Sequence, residues 1–205
     1  MKIINLLVML SLTVFGIEQK QEGVGWLDIF SYDDASHKPR VLIIGDSIVR
    51  QYAGKVKSDI NTKYTLTRLS TSKSICSPHY MKQLSVAMTQ KYKLILVNNG
   101  LHDFHSSNKQ YNKCFQDTIV FLEKVNPKSK IMLITTTGVK GNKERESIVI
   151  QRNQELQKLS QIFDLYAEVQ GNQYLWKDAY HFKSGGINLL SNKITKSILE
   201  AKCCL

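Results

Sequence analysis

Three clusters in the sequence hold residue types that can do chemistry together. Gly45-Asp46-Ser47-Ile48 ends an apolar run and opens a helical one. Glycine permits a sharp turn there, and a serine at the amino end of a helix is exposed among backbone N–H groups that favour a developing oxyanion. Taken alone, the same residues suit a helix N-cap. Asn98-Asn99-Gly100-Leu101-His102-Asp103 follows a second apolar run, and by itself it reads as a polar turn in which Asn and Gly accept left-handed angles. Asp178-Ala179-Tyr180-His181 stands ahead of Gly185-Gly186. A carboxylate three residues before a histidine on one loop orients the imidazole and stabilises its charged form, as a general base requires. A serine, a polar Asn/His block and Asp-x-x-His, in that order, point to nucleophilic catalysis more strongly than any one of them does.

These clusters act together only if a scaffold brings them to one edge. Val41-Leu42-Ile43-Ile44 and Leu94-Ile95-Leu96-Val97 are uninterrupted apolar runs bounded by turn residues, the pattern of strands buried on both faces of a parallel sheet. Tyr64–Leu69 and Ile131–Thr136 read as two more strands, and Phe163–Tyr166 as a short strand or turn. Between them lie helical stretches. Ile48, Tyr52, Val56 and Ile60 recur every fourth residue; further helices are expected over 79–90, 107–125 (stopped by Asn126-Pro127), 145–161 and 184–200. Strands alternating with helices imply right-handed crossovers and a doubly wound α/β fold with a central parallel sheet. In such a sheet ligands bind beyond the carboxyl ends of the strands, so Ser47, His102 and His181 are expected at that edge.

The chain has 205 residues, 42% of them hydrophobic and 22% charged, which excludes wholesale disorder and fits one domain. Its net charge of +11 suits polyanionic partners. The basic residues are scattered rather than gathered into an aromatic-interleaved stripe, which argues against a nucleic-acid binder. Residues 1–16 carry one lysine, a short apolar core and a closing glycine, the pattern of a secretory signal peptide, and the run is too short for a bilayer span. Residues 17–39 are a polar leader whose small apolar patch, Trp26, Leu27, Ile29 and Phe30, is expected to pack on the edge of a domain over 40–205. No Cys or His spacing suits a metal site. Cys76 and Cys114 are either bridged, as export would allow, or two free thiols, and Cys203-Cys204 reads as a frayed tail. A monomer is expected.

Ile44-Gly45-Asp46-Ser47, the block Asn98–Asp103 and Asp178-x-x-His181 resemble the signature blocks of the SGNH (GDSL) hydrolases over about residues 40–200. The block Asn98-Asn99-Gly100-Leu101-His102 is similar to one bacterial branch, as are Thr135-Thr136-Thr137, Arg152-Asn153 and Asp164-Leu165-Tyr166. The resemblance implies a three-layer, flavodoxin-like fold and ester hydrolysis with neither metal nor organic cofactor. By motif Ser47 is the nucleophile, His181 the base and Asp178 its orienting carboxylate. Two departures stand out. The stretch Ser70-Thr71-Ser72-Lys73-Ser74 lacks the family's oxyanion glycine, and His102 occupies the place of its oxyanion asparagine. An imidazole N–H supplies a comparable donor, and Asn99 is the alternative. Arg50, one turn past Ser47, is a candidate for pairing with an anionic substrate, or a solvated residue of a helix face. Trp176 and Tyr180, with Phe182, are candidates for stacking on a sugar ring, or core residues. The expected activity is a secreted serine esterase acting on an acetylated carbohydrate. The alternatives are a lipase or thioesterase of the same fold, or a binding module on a weakened hydrolase scaffold.

Overall fold

The structure, a computed structural model, describes residues 25–31, 37–159 and 162–201. The expected signal peptide and Cys203-Cys204 lie outside the described residues. Six strands form one sheet: β1 (Leu27–Ser31), β2 (Arg40–Gly45), β3 (Thr65–Thr71), β4 (Leu94–Asn98), β5 (Lys130–Ile134) and β6 (Ile162–Phe163). They lie in the order β1-β3-β2-β4-β5-β6. From β3 to β6 every pairing is parallel, with Gly45 of β2 opposite both Ser70 of β3 and Asn98 of β4. The expectation of a parallel sheet fails at one edge. Leader residues Leu27–Ser31 pair antiparallel to β3, Leu27 opposite Thr71 and Ser31 opposite Thr67. An antiparallel edge strand on a parallel sheet is a common arrangement. With Leu27 and Phe30 exposed, this strand lacks the buried run that marks β2 and β4.

The helices are α1 (Ser47–Ile60), α2 (Pro78–Ala87), α3 (Asn108–Val125), α4 (Lys143–Leu156), α5 (Leu165–Val169) and α6 (Ser184–Glu200). Local chemistry sets several of their starts. The Ser77 and Ser107 hydroxyls accept from the amides of His79 and Gln110, and Pro78 opens α2, where its missing N–H costs nothing. Asn142 caps α4 by accepting from the Arg145 amide, so this helix begins two residues before the expected 145. Successive strand residues face opposite sides of the sheet. Val41 and Ile43 therefore pack with Tyr52 and Val56 of α1 and Leu190 and Ile194 of α6. Leu42 and Ile44 pack on the other face with Tyr80 and Leu84 of α2 and Tyr111 and Phe115 of α3. The result is a three-layer α/β/α sandwich with two cores.

Cys76 and Cys114 are joined by a disulfide with Cα atoms 5.2 Å apart, tying the turn after β3 to α3. The two thiols are 38 residues apart in sequence, so the bridge closes a long loop in the unfolded chain. Replacing both cysteines with serine should lower the unfolding free energy by about 3–4 kcal/mol through lost loop-closure entropy. Urea unfolding of the double variant beside the oxidised wild type measures the loss, and superimposable curves would refute it.

Candidate active site

Strand order reverses between β2 and β4, because β2 is followed in the chain by β3 on one side and, after it, β4 on the other. Loops diverge at such a switch point and leave a crevice beyond the strand ends. Ser47 stands there as the first residue of α1, partly exposed. Asp46 is its N-cap and is almost fully buried. One Asp46 carboxylate oxygen accepts from the Ile48 amide at 3.0 Å and the other from the Leu101 amide at 3.2 Å. The first bond starts α1; the second ties the serine turn to the loop after β4. Gly45 is required where β2 meets that loop, since a Cβ would overlap the Asn98 carbonyl and Val49. Gly100 is held as tightly, its Cβ position occupied by the Thr136 hydroxyl.

His181 reaches this crevice from the loop before α6. Its Nε2 lies 3.0 Å from Ser47 Oγ, and its Nδ1 lies 3.1 and 3.0 Å from the two oxygens of Asp178. Asp178 Oδ1 also accepts from the amides of Tyr180 and His181, both at 2.8 Å. The partial burial of the Asp178 carboxyl works to raise its pKa, but these two amides and the His181 ring outweigh it and pull the value down to about 2. Three fasteners hold the loop. The Lys177 amide donates to the His181 carbonyl at 2.8 Å, Trp176 and Phe182 form an isolated bridge, and the Gln51 side chain clasps Phe182. In that clasp the Phe182 amide donates to Gln51 Oε1 at 3.2 Å, and Gln51 Nε2 donates to the Phe182 carbonyl at 3.3 Å.

The structure thus brings Ser47, His181 and Asp178 together in a continuous hydrogen-bonded line. The other expected residues divide. His102 is partly exposed on the loop after β4, its ring edge-on to Trp26 at 6.3 Å, with Nε2 enclosed by protein. Asn99 is 1% exposed; its carbonyl accepts from Tyr111 and Thr136, and its side-chain amide is enclosed without a hydrogen bond among the described residues. In the Ser70–Ser74 stretch, the Ser72 amide donates to the Trp26 carbonyl and the Lys73 amide to Thr71 Oγ1.

Three weaker candidates are already engaged with protein groups. Arg50 Nε is 2.8 Å from Asp28 of β1, and its guanidinium lies over Trp26. Trp176 is a core residue, 8% exposed, with its ring 4.3 Å from that of Phe182. Its remaining surface lines a cavity of about 410 Å³ between the β5–α4 loop and the end of α5, where Glu146 takes the Val139 amide and the Tyr166 hydroxyl. Tyr180 is half-buried, and its hydroxyl takes a hydrogen bond from Arg145. Sequence reasoning missed Asp46 as a fastener, the Gln51 clasp, and the rim residues Trp26 and Arg145. Only Asp46 left a signal, as an N-cap type before a helix.

No protein-family model matches the sequence, and no curated protein matches it. Solved structures do resemble the fold. An acetyl xylan esterase, AlAXEase, superimposes with a TM-score of 0.67 at 17% identity, over 78% of this chain and 99% of that one. A member of the lipolytic protein G-D-S-L family from Veillonella parvula gives 0.63 at 15% identity, over 77% and 96%. A carbohydrate esterase family 3 protein from Talaromyces cellulolyticus gives 0.65 at 12% identity, over 82% and 99%. The fold is that of the SGNH (GDSL) acylhydrolases and esterases.

The lowered Asp178 pKa fixes a sign for acid sensitivity. An aspartate depressed in the folded state adds stability above its unfolded pKa of about 3.9, and this is lost as pH falls through the folded value. Wild type should therefore lose stability between about pH 4 and pH 2, with Asp178→Asn lacking that part of the slope. Urea midpoints measured across the window test this; identical slopes in the two proteins would contradict it.

Proposed function

We propose that the protein is an exported serine esterase that removes acyl groups, acetyl in particular, from a carbohydrate. The observation that carries the reading is the 3.0 Å contact from His181 Nε2 to Ser47 Oγ, continued through Nδ1 to Asp178. With its Nδ1 proton held by the carboxylate, the imidazole presents the Nε2 lone pair to the serine hydroxyl. Ser47 Oγ attacks the ester carbonyl as His181 takes its proton, and the carbonyl oxygen becomes an oxyanion. Collapse breaks the bond to the sugar oxygen, which leaves as an alcohol with the proton from His181. Water, deprotonated by the same imidazole, then attacks the acyl-serine and releases the acid and free Ser47. The Ser47 amide and the His102 ring stabilise the oxyanion. His102 is preferred to Asn99 for this role because the Asn99 side-chain amide is fully buried, whereas His102 is partly exposed.

Acetyl and carbohydrate as acyl group and acceptor are supported by what the similar folds are named for, acetyl xylan and carbohydrate esterases. Export is supported by the apolar amino-terminal segment and by the Cys76–Cys114 bridge, which suits an oxidising compartment. Among the described residues no helix is long and apolar enough to cross a membrane.

Acetate release from acetylated sugars and hydrolysis of 4-nitrophenyl acetate test the reading. Ser47→Ala and His181→Ala should each lower turnover by about 10^4-fold or more. Full activity in either folded variant overturns the assignment. His102→Ala should cost about 10^2 to 10^3-fold in turnover, the worth of one oxyanion donor. His102→Asn should recover most of it, because an asparagine amide N–H supplies the same kind of hydrogen bond.

A further inference from the structure

We propose that Arg145 recognises a carboxylate on the substrate, so that the ester taken by this site is borne by an acidic sugar, a hexuronic acid or a chain of them. The proposal rests on the esterase reading and names the substrate class of that same site.

The guanidinium of Arg145 is fixed in place. The residue lies in the first turn of α4, where its amide donates to the capping Asn142. Its guanidinium carbon lies 4.9 Å from the centroid of the Phe104 ring and 5.9 Å from that of Tyr180, and Nη1 donates to the Tyr180 hydroxyl. Phe104 stands two residues after His102, and Tyr180 immediately precedes His181. The cation therefore bridges the two loops that bring the proposed oxyanion donor and base to the crevice. Ring contacts hold a planar guanidinium in place while leaving N–H groups along its edge, the geometry suited to a bidentate carboxylate.

The other guanidinium groups are already engaged. Arg50, at the opposite rim, and Arg68 both pair with Asp28. Arg152 is buried and donates to the carbonyls of Asp103 and Ser106, and Arg40 to Gln90. Arg145 has no carboxylate partner among the described residues. The acids nearest in sequence do not neutralise it: Glu146 is bound to the Val139 amide and the Tyr166 hydroxyl, and exposed Glu144 forms no ion pair with it. Exposed lysines extend the positive rim. Lys140 donates its amide to Ala179 on the His181 loop, while Lys177 and Lys183 flank His181. An arginine held between aromatic rings and left without a counter-ion beside a polar crevice is arranged to pair with an incoming anion. The +11 chain adds long-range attraction for such a substrate.

A matched pair of substrates tests the proposal: 2-O-acetylgalacturonate and 2-O-acetylgalactose, alike except for the carboxylate, with acetate release as the readout. Wild type should favour the acidic ester by about tenfold or more in kcat/KM, mainly through KM, and the advantage should shrink from about 50 to 500 mM salt. In Arg145→Gln the ratio of the two kcat/KM values should fall to about one, and Arg145→Lys should keep only part of it. The ratio is read within one protein, so a general loss of activity leaves it interpretable. No preference in wild type, or a preference unchanged in Arg145→Gln, overturns the proposal while leaving the esterase reading intact. Galacturonate binding to Ser47→Ala, which does not depend on turnover, separates the two. Binding abolished by adding Arg145→Gln supports anion recognition even if no ester is cleaved. Binding that is absent or indifferent to Arg145 counts against it.

Discussion

The geometry of the site depends first on the buried carboxylate of Asp46. A carboxylate closed off from water must have both oxygens satisfied, and this one is satisfied by amides from two different strand–helix connections. One bond sets where α1 begins and so where Ser47 stands. The other fixes Leu101, and with it the turn from Gly100 to His102. Because β2 and β4 are hydrogen-bonded neighbours with Gly45 beside Asn98, the two connections start a strand spacing apart. Asp46 turns that proximity into a fixed relation between the serine and the ring proposed to face its oxyanion. Removing the carboxylate would leave two buried N–H groups unpaired, which costs more than the loss of an ordinary surface bond.

The histidine has no strand of its own to stand on. Its loop runs from a short 3-10 turn to α6 and is placed by backbone bonds rather than by the sheet. The Gln51 clasp makes that placement relative to the nucleophile, since Gln51 and Ser47 share one helix and are separated by one turn. Asp178 then acts twice: its carboxylate caps the turn by accepting the Tyr180 and His181 amides, and the same oxygens hold the imidazole. Loop shape and ring orientation thus depend on one charge, held ionised by the same bonds that shape the loop.

The sequence made most of the fold legible because the sheet's centre is buried on both faces. Residues such as Val41–Ile44 and Leu94–Val97 then form unbroken apolar runs that nothing else explains as well. The alternation of these runs with helical stretches sufficed for the succession of elements along the chain and for the layers. β1 was not legible, because an edge strand covered on one side needs few apolar residues, and exposed Leu27 and Phe30 look like a loop patch. The site divides in the same way. Ser47, Asp178 and His181 announced themselves because short-range spacing encodes their local jobs. Gln51, Trp26 and Arg145 did not, since each matters through a partner 46 to 131 residues away or through a ring that only the fold delivers.

That distinction governs the electrostatics as well. From sequence, Arg50, one helical turn from the nucleophile, was a candidate anion partner or a solvated residue of a helix face. The leader strand cancels it, because β1 lays Asp28 between Arg50 and Arg68, and a shared carboxylate at 2.8 and 3.8 Å neutralises much of the local positive field. The residue just before β1, Trp26, lies across Arg50 and against His102. An edge strand that adds little to the core thereby gives the crevice two unlike walls, an aromatic wall with a compensated arginine and a cationic wall of Arg145 and the lysines around His181. A substrate with charge on one side of its ester and an uncharged ring on the other can meet both walls at once. Reversing it would place its anion beside Asp28, so the asymmetry favours one orientation of the ester before Ser47.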